Sequence, residues 1–358
     1  MKTQTLLAAI ASTLVLPAFA QSSVTVFGVI DANYQHASQG GASVNRVNGN
    51  GGNQISRLGF RGTEDLGGGL SASFVLDMAL NIDTGAGGLT STNNQTAAAG
   101  SGITFNRRST VSLTSKTLGE LRIGRDFTPT YWNLTAFDPF GTAGAGSAAN
   151  IIQSNLSKVS TVQTALRASN SVGYFLPQGN GLYGQLMYAM GENPSNAPNG
   201  TRKDGNYAGL RIGYADANLH VALAHGRTSL ASGDVTTTNA GASYAFGPVK
   251  PMVQVFQDRK DNVATPNRSS GFLVGAQFTV GSGYIPVSYS QIHDNAAVER
   301  KAQLLAIGYV YNLSKRTAVY TTFSRIGNSG GASVSGGGVT GVANAAWKGT
   351  DIGIRHSF

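Results

Sequence analysis

Short segments in which apolar and polar residues alternate recur along the chain from residue 23 onward. In the segment Asp351–Phe358, Ile352 and Ile354 lie on one side of an extended backbone, while Arg355 lies on the other. Such a period of two predicts β-strands with one apolar and one polar face. The segment 317–325 is less decisive, because apolar residues fall on both of its sides. The dominant pattern is therefore that of β-strands.

The connections between these segments alternate between tight turns and longer stretches rich in small and polar residues. The predicted strands are 23–36, 54–63, 70–83, 103–115, 120–126, 167–176, 181–190, 206–215, 218–228, 236–246, 250–261, 268–280, 284–294, 300–311, 317–326 and 347–358. The long connections are expected at 37–53, 84–102, 127–166, 191–205, 229–235, 262–267, 295–299 and 327–346. Most of the strands approach the roughly 9–11 residues that a tilted strand needs to cross a bilayer.

An even number of antiparallel strands closes into a barrel without exposed edges, which hydrocarbon requires because unpaired backbone groups there are costly. We therefore predict an all-β fold, a transmembrane antiparallel β-barrel of 16 strands. Barrels of about sixteen strands leave an aqueous channel. A large soluble β-solenoid is the alternative, but no fixed repeat period supports it.

The third long connection, at about 127–166, is much longer than ordinary hairpin loops, and loops of that length are commonly functional. Aromatic residues in Phe137–Phe140 precede a run of small residues at 141–146, a composition that suits a segment folded into the lumen. We expect this loop to be the constriction. Asp138 is its one acid, and a short helix is expected at 155–166.

The N-terminal segment 1–20 has the pattern of a cleaved secretory signal: Lys2, then an apolar stretch, then Ala18 and Ala20 around a small-x-small site. The mature chain would be a single domain, 21–358. Composition agrees with export into a membrane. Charged residues make up 12% of the chain, whereas ordinary proteins have about 25%. Gly accounts for 48 of the 358 residues, nearly twice the usual share of about 7%. The chain has no Cys, which excludes disulfide scaffolds and thiolate metal sites.

Motifs for catalysis and cofactor binding lack their required context. Gly327–Gly331 fits G-x-S-x-G, but more Gly follows instead of the helix that a nucleophile elbow needs. The stretch 144–149 fits a loose dinucleotide pattern without a strand–turn–helix unit around it. The five His form no HExxH pair. We therefore expect no enzymatic activity, no cofactor and no metal, and the scattered basic residues argue against a nucleic-acid partner.

Six motifs are spread along the chain: SVTVFGVID at 23–31, SRLGFRGTEDLGGGL at 56–70, NRR at 106–108, LGELRIGR at 118–125, RASNSVGY at 167–174 and GIRHSF at 353–358. They resemble those of Gram-negative trimeric general-diffusion porins of the beta-proteobacterial branch, and the resemblance covers essentially the whole mature chain. The resemblance implies a homotrimer in the outer membrane, a multi-pass protein surrounded by lipid and lipopolysaccharide. It also implies an inward-folded third loop, a role of Phe358 in assembly, and small anions and hydrophilic solutes in transit.

In such porins a ladder of basic side chains faces the third loop, and the resemblance assigns that role to Arg57, Arg107 and Arg167. Strand parity independently places Arg57 and Arg61 on the water-facing side, and Arg167 likewise. Arg107 shares its side with apolar residues of its strand, whereas Arg108 shares its side with Thr and Ser. Which of these two faces the lumen stays open.

The sequence lacks the acidic PEFGG-like segment of cation-preferring relatives, so that Asp138 alone would oppose the arginines. This departure favours anions. Arg125 shares its side with Leu121 and Ile123, which predicts the outer face and a subunit contact. The predicted function is passive diffusion with anion preference; the alternatives are a substrate-specific anion channel and a secreted β-rich adhesin.

Overall fold

The computed structural model describes residues 23–49, 51–94, 102–177, 179 and 181–358, and most of them belong to one antiparallel sheet. The predicted signal segment 1–20 lies outside the described residues. The strands are β1 (Ser23–Gln39), β2 (Ala42–Asn48), β3 (Arg57–Gly67), β4 (Leu70–Asn81), β5 (Ala86–Gly87), β6 (Arg108–Ser115), β7 (Gly119–Phe127), β8 (Arg167–Phe175), β9 (Leu182–Ala189), β10 (Tyr207–Ala215), β11 (Leu219–Thr228), β12 (Val235–Tyr244), β13 (Val249–Lys260), β14 (Arg268–Val280), β15 (Gly283–Asp294), β16 (Lys301–Asn312), β17 (Thr317–Ser329) and β18 (Trp347–Ser357).

The sheet closes on itself because β1 also pairs with β18, from Val29 opposite Ser357 to Gln39 opposite Trp347. β2 and β3 both pair with β1, one with each half of it, so they share one position in the wall. The two-residue β5 adds a short pairing at the end of β4. Sixteen wall positions result, and the predicted 16-stranded antiparallel β-barrel is confirmed.

The first long connection differs from its prediction as a loop over 37–53. β1 continues to Gln39, and β2 returns beside it after a turn at Gly40 and Gly41, whose φ angles are +59° and +89°. The alternation of β1 persists to its end, since Ala37 and Gln39 are both buried. The wall therefore extends into a hairpin at this place.

Alternation along β17 and β18 separates the two surfaces of the barrel. Tyr320 in β17 and Asp351 in β18 are buried toward the interior, while Phe323 and Ile352 are more than half exposed on the outside. The segment that was indecisive by sequence thus has a definite outer apolar face. Polar side chains are concentrated inside, as a water-filled barrel requires.

The third long connection enters the barrel and packs against the inner wall. It contains α1 (Pro129–Ala136) and α2 (Ala149–Ile152). Ile151 of α2 is fully buried in a cluster with Leu304 and Ile326, which point inward from β16 and β17. The loop is therefore held by an apolar contact with the wall, and the expected insertion into the lumen is found.

The short helix expected at 155–166 is absent; two 3-10 turns at Val159–Thr161 and Gln163–Ala165 occupy this described segment. The Ser157 hydroxyl accepts a hydrogen bond from the N–H of Val159, and the hydroxyls of Ser160 and Thr161 donate to nearby carbonyls. Such local bonds compete with the α-helical ladder. A third 3-10 segment lies at Pro198–Lys203. In the described part of the chain, no helix has the length and apolar character to cross a membrane.

Candidate functional site

The inserted loop, which we define as residues 128–166, is seated against glycines of the wall. A Cβ atom at Gly241 of β12 would lie 2.3 Å from Cδ2 of Phe137, and one at Gly275 of β14 would lie 2.6 Å from Cγ of Pro139. These distances are too short for a real Cβ atom, so both wall positions must be Gly for the loop to approach this closely. Part of the glycine content of the strands thus makes room for the loop.

The carboxylate of Asp138 is directed into the loop itself. It accepts hydrogen bonds from the N–H groups of Phe140 at 2.9 Å and Ala148 at 3.0 Å, with longer contacts to Thr142 and Ser147. Asp138 is 4% exposed; its burial raises the pKa of the carboxyl, and the hydrogen bonds act in the opposite direction. These contacts give Asp138 a structural role that the sequence did not predict, the folding of the loop around a buried acid; its opposing the arginines stays a prediction.

Two further acids fasten the inserted loop and its surroundings to the wall near β1. Asp351 accepts the N–H of Ala145 at 2.8 Å. Asp31 accepts the N–H groups of Asn53 at 3.0 Å and Gln54 at 2.7 Å, and the hydroxyl of Tyr320 also donates to it. Buried carboxylates thus satisfy backbone donors that would otherwise be unpaired.

A cavity of about 670 Å³ lies between the wall and the inserted loop. Its basic lining residues are Arg57, Arg61, Arg107 and Arg108. The loop contributes the segment 138–143 to the opposite side, and Asp77 of β4 is the wall's acid in the lining. Four of the predicted site residues on the wall are therefore brought together in one water-accessible space.

Arg57 and Arg61 project from β3 into this cavity, in agreement with their parity. The guanidinium carbon of Arg61 lies 5.3 Å from the ring centroid of Phe27, a cation–π contact. Within the described residues, neither Arg57 nor Arg61 has a carboxylate partner or a hydrogen bond. Neither guanidinium group is therefore held in a direct ion pair at the wall.

Arg107 and Arg108 both line the cavity, for different reasons. Arg108 begins β6, with an inward direction shared by the buried Thr110. Arg107 precedes the strand, so the alternation of β6 does not determine its direction. Its Nε lies 3.1 Å from Oδ2 of Asp77. The sequence posed these two residues as alternatives, whereas the structure places both guanidinium groups at the same cavity.

Arg167 lies beyond Phe127 in a second cavity of about 350 Å³. The ring centroid of Phe127 is 4.5 Å from the guanidinium carbon of Arg167 and 5.5 Å from that of Arg107. Nε of Arg167 is buried without a hydrogen-bond partner among the described residues. Arg167 is thus linked to the other arginines through an aromatic ring and does not share their cavity.

Arg125 lies inside the barrel, so the predicted position on the outer face is wrong. Gly124 has a φ of +130°, and the register with β8 shifts between Gly124 and Asp126, which marks a β-bulge. Beyond this bulge, Arg125 donates to Oγ of Ser169 at 2.7 Å and lines the cavity of Arg167. A bulge re-aims a side chain, so simple alternation fails at this point.

Sequence reasoning missed the acids that accompany the arginines. Asp126 lies 2.6 Å from Arg122 and 3.9 Å from Arg108, and Asp77 pairs with Arg107. A signal for Asp77 was present, because an acid within the apolar strand 70–81 must face water in a membrane barrel. Among the described residues, no group of three or more His, Asp or Glu is arranged to hold a metal ion.

A third cavity, of about 660 Å³, is open toward the ends of the strands joined by tight turns, which we call the turn end. Its lining includes Arg122 and Arg211 together with Trp132 of α1. Nε of Arg211 donates to Oδ1 of Asn133 at 3.0 Å, which ties this arginine to the inserted loop. Basic residues therefore continue along the wall beyond the arginines predicted from sequence.

Comparison with known proteins gives a family and close structural relatives. A family described as Gram-negative porin matches residues 5–331. Outer membrane porin protein 32 of Delftia acidovorans is 34% identical over 356 residues, covering 95% of each chain. The anion-selective porin from Comamonas acidovorans has a TM-score of 0.80 and 31% identity, covering 94% of this chain and 100% of its own. OmpT of Vibrio cholerae in its trimer form shares the fold, with a TM-score of 0.63 and 15% identity, covering 94% of this chain and 99% of its own.

Proposed function

The chain belongs to the Gram-negative porin family, and on that premise we propose that it forms an outer-membrane diffusion channel with a preference for anions. As a porin, it crosses the outer membrane repeatedly and surrounds a water-filled path. Small hydrophilic solutes and ions move through it down their gradients. The preference arises from fixed charge where the inserted loop narrows the barrel.

The charge balance of the 670 Å³ cavity carries this proposal. Four arginines line it, and the carboxylate of Asp77 is engaged by Arg107. Asp138 accepts hydrogen bonds from within its own loop. Arg57 and Arg61 therefore face the lumen with a net positive field, which raises the local concentration of anions.

We extend the selectivity role to all the predicted arginines: Arg57, Arg61, Arg107, Arg108 and Arg167. Arg167 contributes from the second cavity, together with Arg125. Asp138 contributes indirectly, since it shapes the loop that faces the wall.

The test is the reversal potential of a planar bilayer in a KCl gradient. The wild-type channel is expected to give a potential of the sign that chloride preference requires, and Arg57→Gln/Arg61→Gln is expected to move it toward zero. Lys315→Gln/Arg316→Gln removes the same charge at an exposed turn and should leave the potential unchanged. A wild-type potential that indicates cation preference would refute the proposal.

A substrate-specific anion channel is the second candidate function. The turn-end cavity favours it, because Arg211 lies 4.8 Å from the ring centroid of Tyr183 and is tied to the inserted loop. Such a channel would show saturable block of the chloride current by one organic anion. A general-diffusion channel would show a similar weak effect with many anions.

Further proposals concern processing and partners. We propose that 1–20 is removed on export, leaving 21–358 as the mature barrel with its constriction loop at about 127–166. We propose a homotrimer in contact with outer-membrane lipid and lipopolysaccharide.

The chain is proposed to have no enzymatic activity and no nucleic-acid partner. Gly327–Gly331 spans the end of β17 and the turn after it, and no helix follows within the described neighbouring segment.

A further inference from the structure

One aromatic side chain of the inserted loop faces the water in the lumen. Trp132 of α1 is 36% exposed, whereas Phe137 and Phe140 of the same loop are buried. Trp132 lines the cavity of about 670 Å³ beside the arginines and also the cavity of about 660 Å³ at the turn end. The indole therefore lies where these two cavities adjoin, on the path that a solute follows through the barrel.

Packing within the loop holds the indole ring in place. The ring centroid of Phe127 lies 5.2 Å from that of Trp132, in an edge-to-face arrangement with an interplanar angle of 61°. The other side of α1 is buried, through residues that include Asn133 and Leu134. The helix is thus packed on one side, and on the other it presents an aromatic surface to the lumen.

The next residue of the helix holds an arginine in the same cavity. Nε of Arg211 donates to Oδ1 of Asn133 at 3.0 Å, and Nδ2 of Asn133 donates to Oδ1 of Asn239 at 2.7 Å. The guanidinium carbon of Arg211 lies 4.8 Å from the ring centroid of Tyr183. Among the described residues, no carboxylate lies within ion-pair distance of Arg211. Arg211 can therefore pair with an anionic solute.

The remaining charges of the turn-end cavity do not oppose an anion. Glu120 is the acid among its lining residues, and Nε of Arg122 lies 2.7 Å from the Glu120 carboxylate. Arg108 and Lys116 add positive charge to the lining. An organic anion that enters this cavity is thus attracted by the basic residues, and the acid that could repel it is already paired.

We propose that the turn-end cavity binds aromatic carboxylates in transit, with the carboxylate accepting hydrogen bonds from Arg211 and the aromatic ring stacking on Trp132. The site rests on the proposed channel function and names the class of organic anion that the channel favours. The planar fork of donors of an arginine matches a carboxylate. The volume of about 660 Å³ lies within the range of roughly 300–1,000 Å³ that is usual for small-molecule sites.

The indole determines the class of ligand, because Arg211 alone would pair with any small anion. Two aromatic rings attract each other in stacked or edge-to-face arrangements by more than their buried area explains. Benzoate has such a ring. Cyclohexanecarboxylate carries the same charge on a ring of similar size, but it has no aromatic face. The difference between these two acids therefore isolates the contribution of Trp132.

The experiment measures block of the chloride current through the reconstituted channel in a planar bilayer at neutral pH. Benzoate and cyclohexanecarboxylate are the probes, each added to both sides. Trp132→Leu removes the aromatic ring from the cavity, and Trp132→Phe retains one. The matched control, Phe323→Leu, removes an exposed aromatic ring from the outer wall. Arg211→Gln removes the partner of the carboxylate, and heat-modifiable gel mobility verifies that each variant is folded.

We expect benzoate to block the wild type and Phe323→Leu at about fivefold lower concentration than cyclohexanecarboxylate, a factor that one aromatic contact of ordinary strength provides. Trp132→Leu should abolish this difference, and Trp132→Phe should keep most of it. Arg211→Gln should weaken the block by both acids.

Equal block of the wild type by the two acids would overturn the proposal, as would a difference that persists in Trp132→Leu. The reversal potential of the wild type in a KCl gradient, recorded without either acid, tests the anion preference separately. An anion-selective channel that both acids block equally would refute the aromatic site and leave the channel proposal intact.

Discussion

The carboxylate of Asp351 on β18 accepts a 2.8 Å hydrogen bond from the backbone N–H of Ala145 in the inserted loop. Its other oxygen accepts Nε2 of Gln35 on β1 at 2.9 Å. Asp351 is fully buried. One side chain of the wall thus fixes the loop across the barrel, and a hydrogen bond to a charged group contributes about 1.5–3 kcal/mol.

Asp351→Asn tests this attachment. An amide presents one acceptor where two donors point, so one of the two hydrogen bonds must be lost. We expect a more mobile loop, seen as increased noise in single-channel currents and faster proteolysis within 140–150. Asp261→Asn, which breaks a surface ion pair with Arg259, is the matched control. Equal noise in both variants would show that Asp351 does not hold the loop.

Asp77→Asn should strengthen anion preference. The amide oxygen still accepts Nε of Arg107, but the negative charge that offsets the arginines is gone. Charges a few ångströms apart in a water-filled space interact by about 1 kcal/mol or less, so we expect roughly a twofold rise in the chloride-to-potassium permeability ratio. A reversal potential in a KCl gradient measures it. An unchanged or lower ratio would mean that Asp77 does not weaken the field of the arginines.

The strand pattern was sufficient to predict the barrel, because alternation is set by one face in lipid and one in water along every strand. The clearest example is Ile352 opposite Asp351, which the structure reproduces. The first connection was predicted wrongly because its Gly and polar residues resemble a loop, although β1 and β2 pair through it from Asn33 to Asn48. Composition alone does not reveal pairing with a distant strand.

The candidate site was predictable only where the strand was regular. Arg57 and Arg61 lie on regular β3 and line the cavity, as parity required. Arg125 lies at a bulge and Arg107 lies outside β6, so their directions depend on tertiary contacts. The alternation of side chains along a regular strand does not predict the direction of a side chain at a β-bulge or outside the strand.

Anion preference should fall as salt concentration rises. The field of Arg57 and Arg61 acts through water, where the screening length shrinks from about 10 Å at 0.1 M to about 3 Å at 1 M salt. Reversal potentials at a fixed tenfold gradient, recorded at increasing mean concentration, should therefore approach zero. A salt-independent potential would point to size or direct binding as the source of selectivity.

Gly241→Val tests whether the wall glycine sets the position of the inserted loop. The new Cβ would lie 2.3 Å from Cδ2 of Phe137, and the hydrogen-bonded wall yields less readily than the loop. We expect the loop to shift toward the lumen and the single-channel conductance to fall, at a cost of about 1–3 kcal/mol in stability. Gly327→Ala is the control, since its nearest atom is 3.6 Å away, on the flexible Arg325 side chain.

Phe137→Ala combined with Gly241→Val separates this steric contact from a general effect on strand β12. If Phe137 is the group that clashes, the double variant should recover much of the lost conductance, because residues in contact have non-additive effects. If Val at 241 instead weakens the strand itself, removing the Phe137 ring would add its own loss to the first. If the effects of the two substitutions on conductance and on thermal stability simply add in the double variant, then contact between Gly241 and Phe137 does not set the position of the inserted loop.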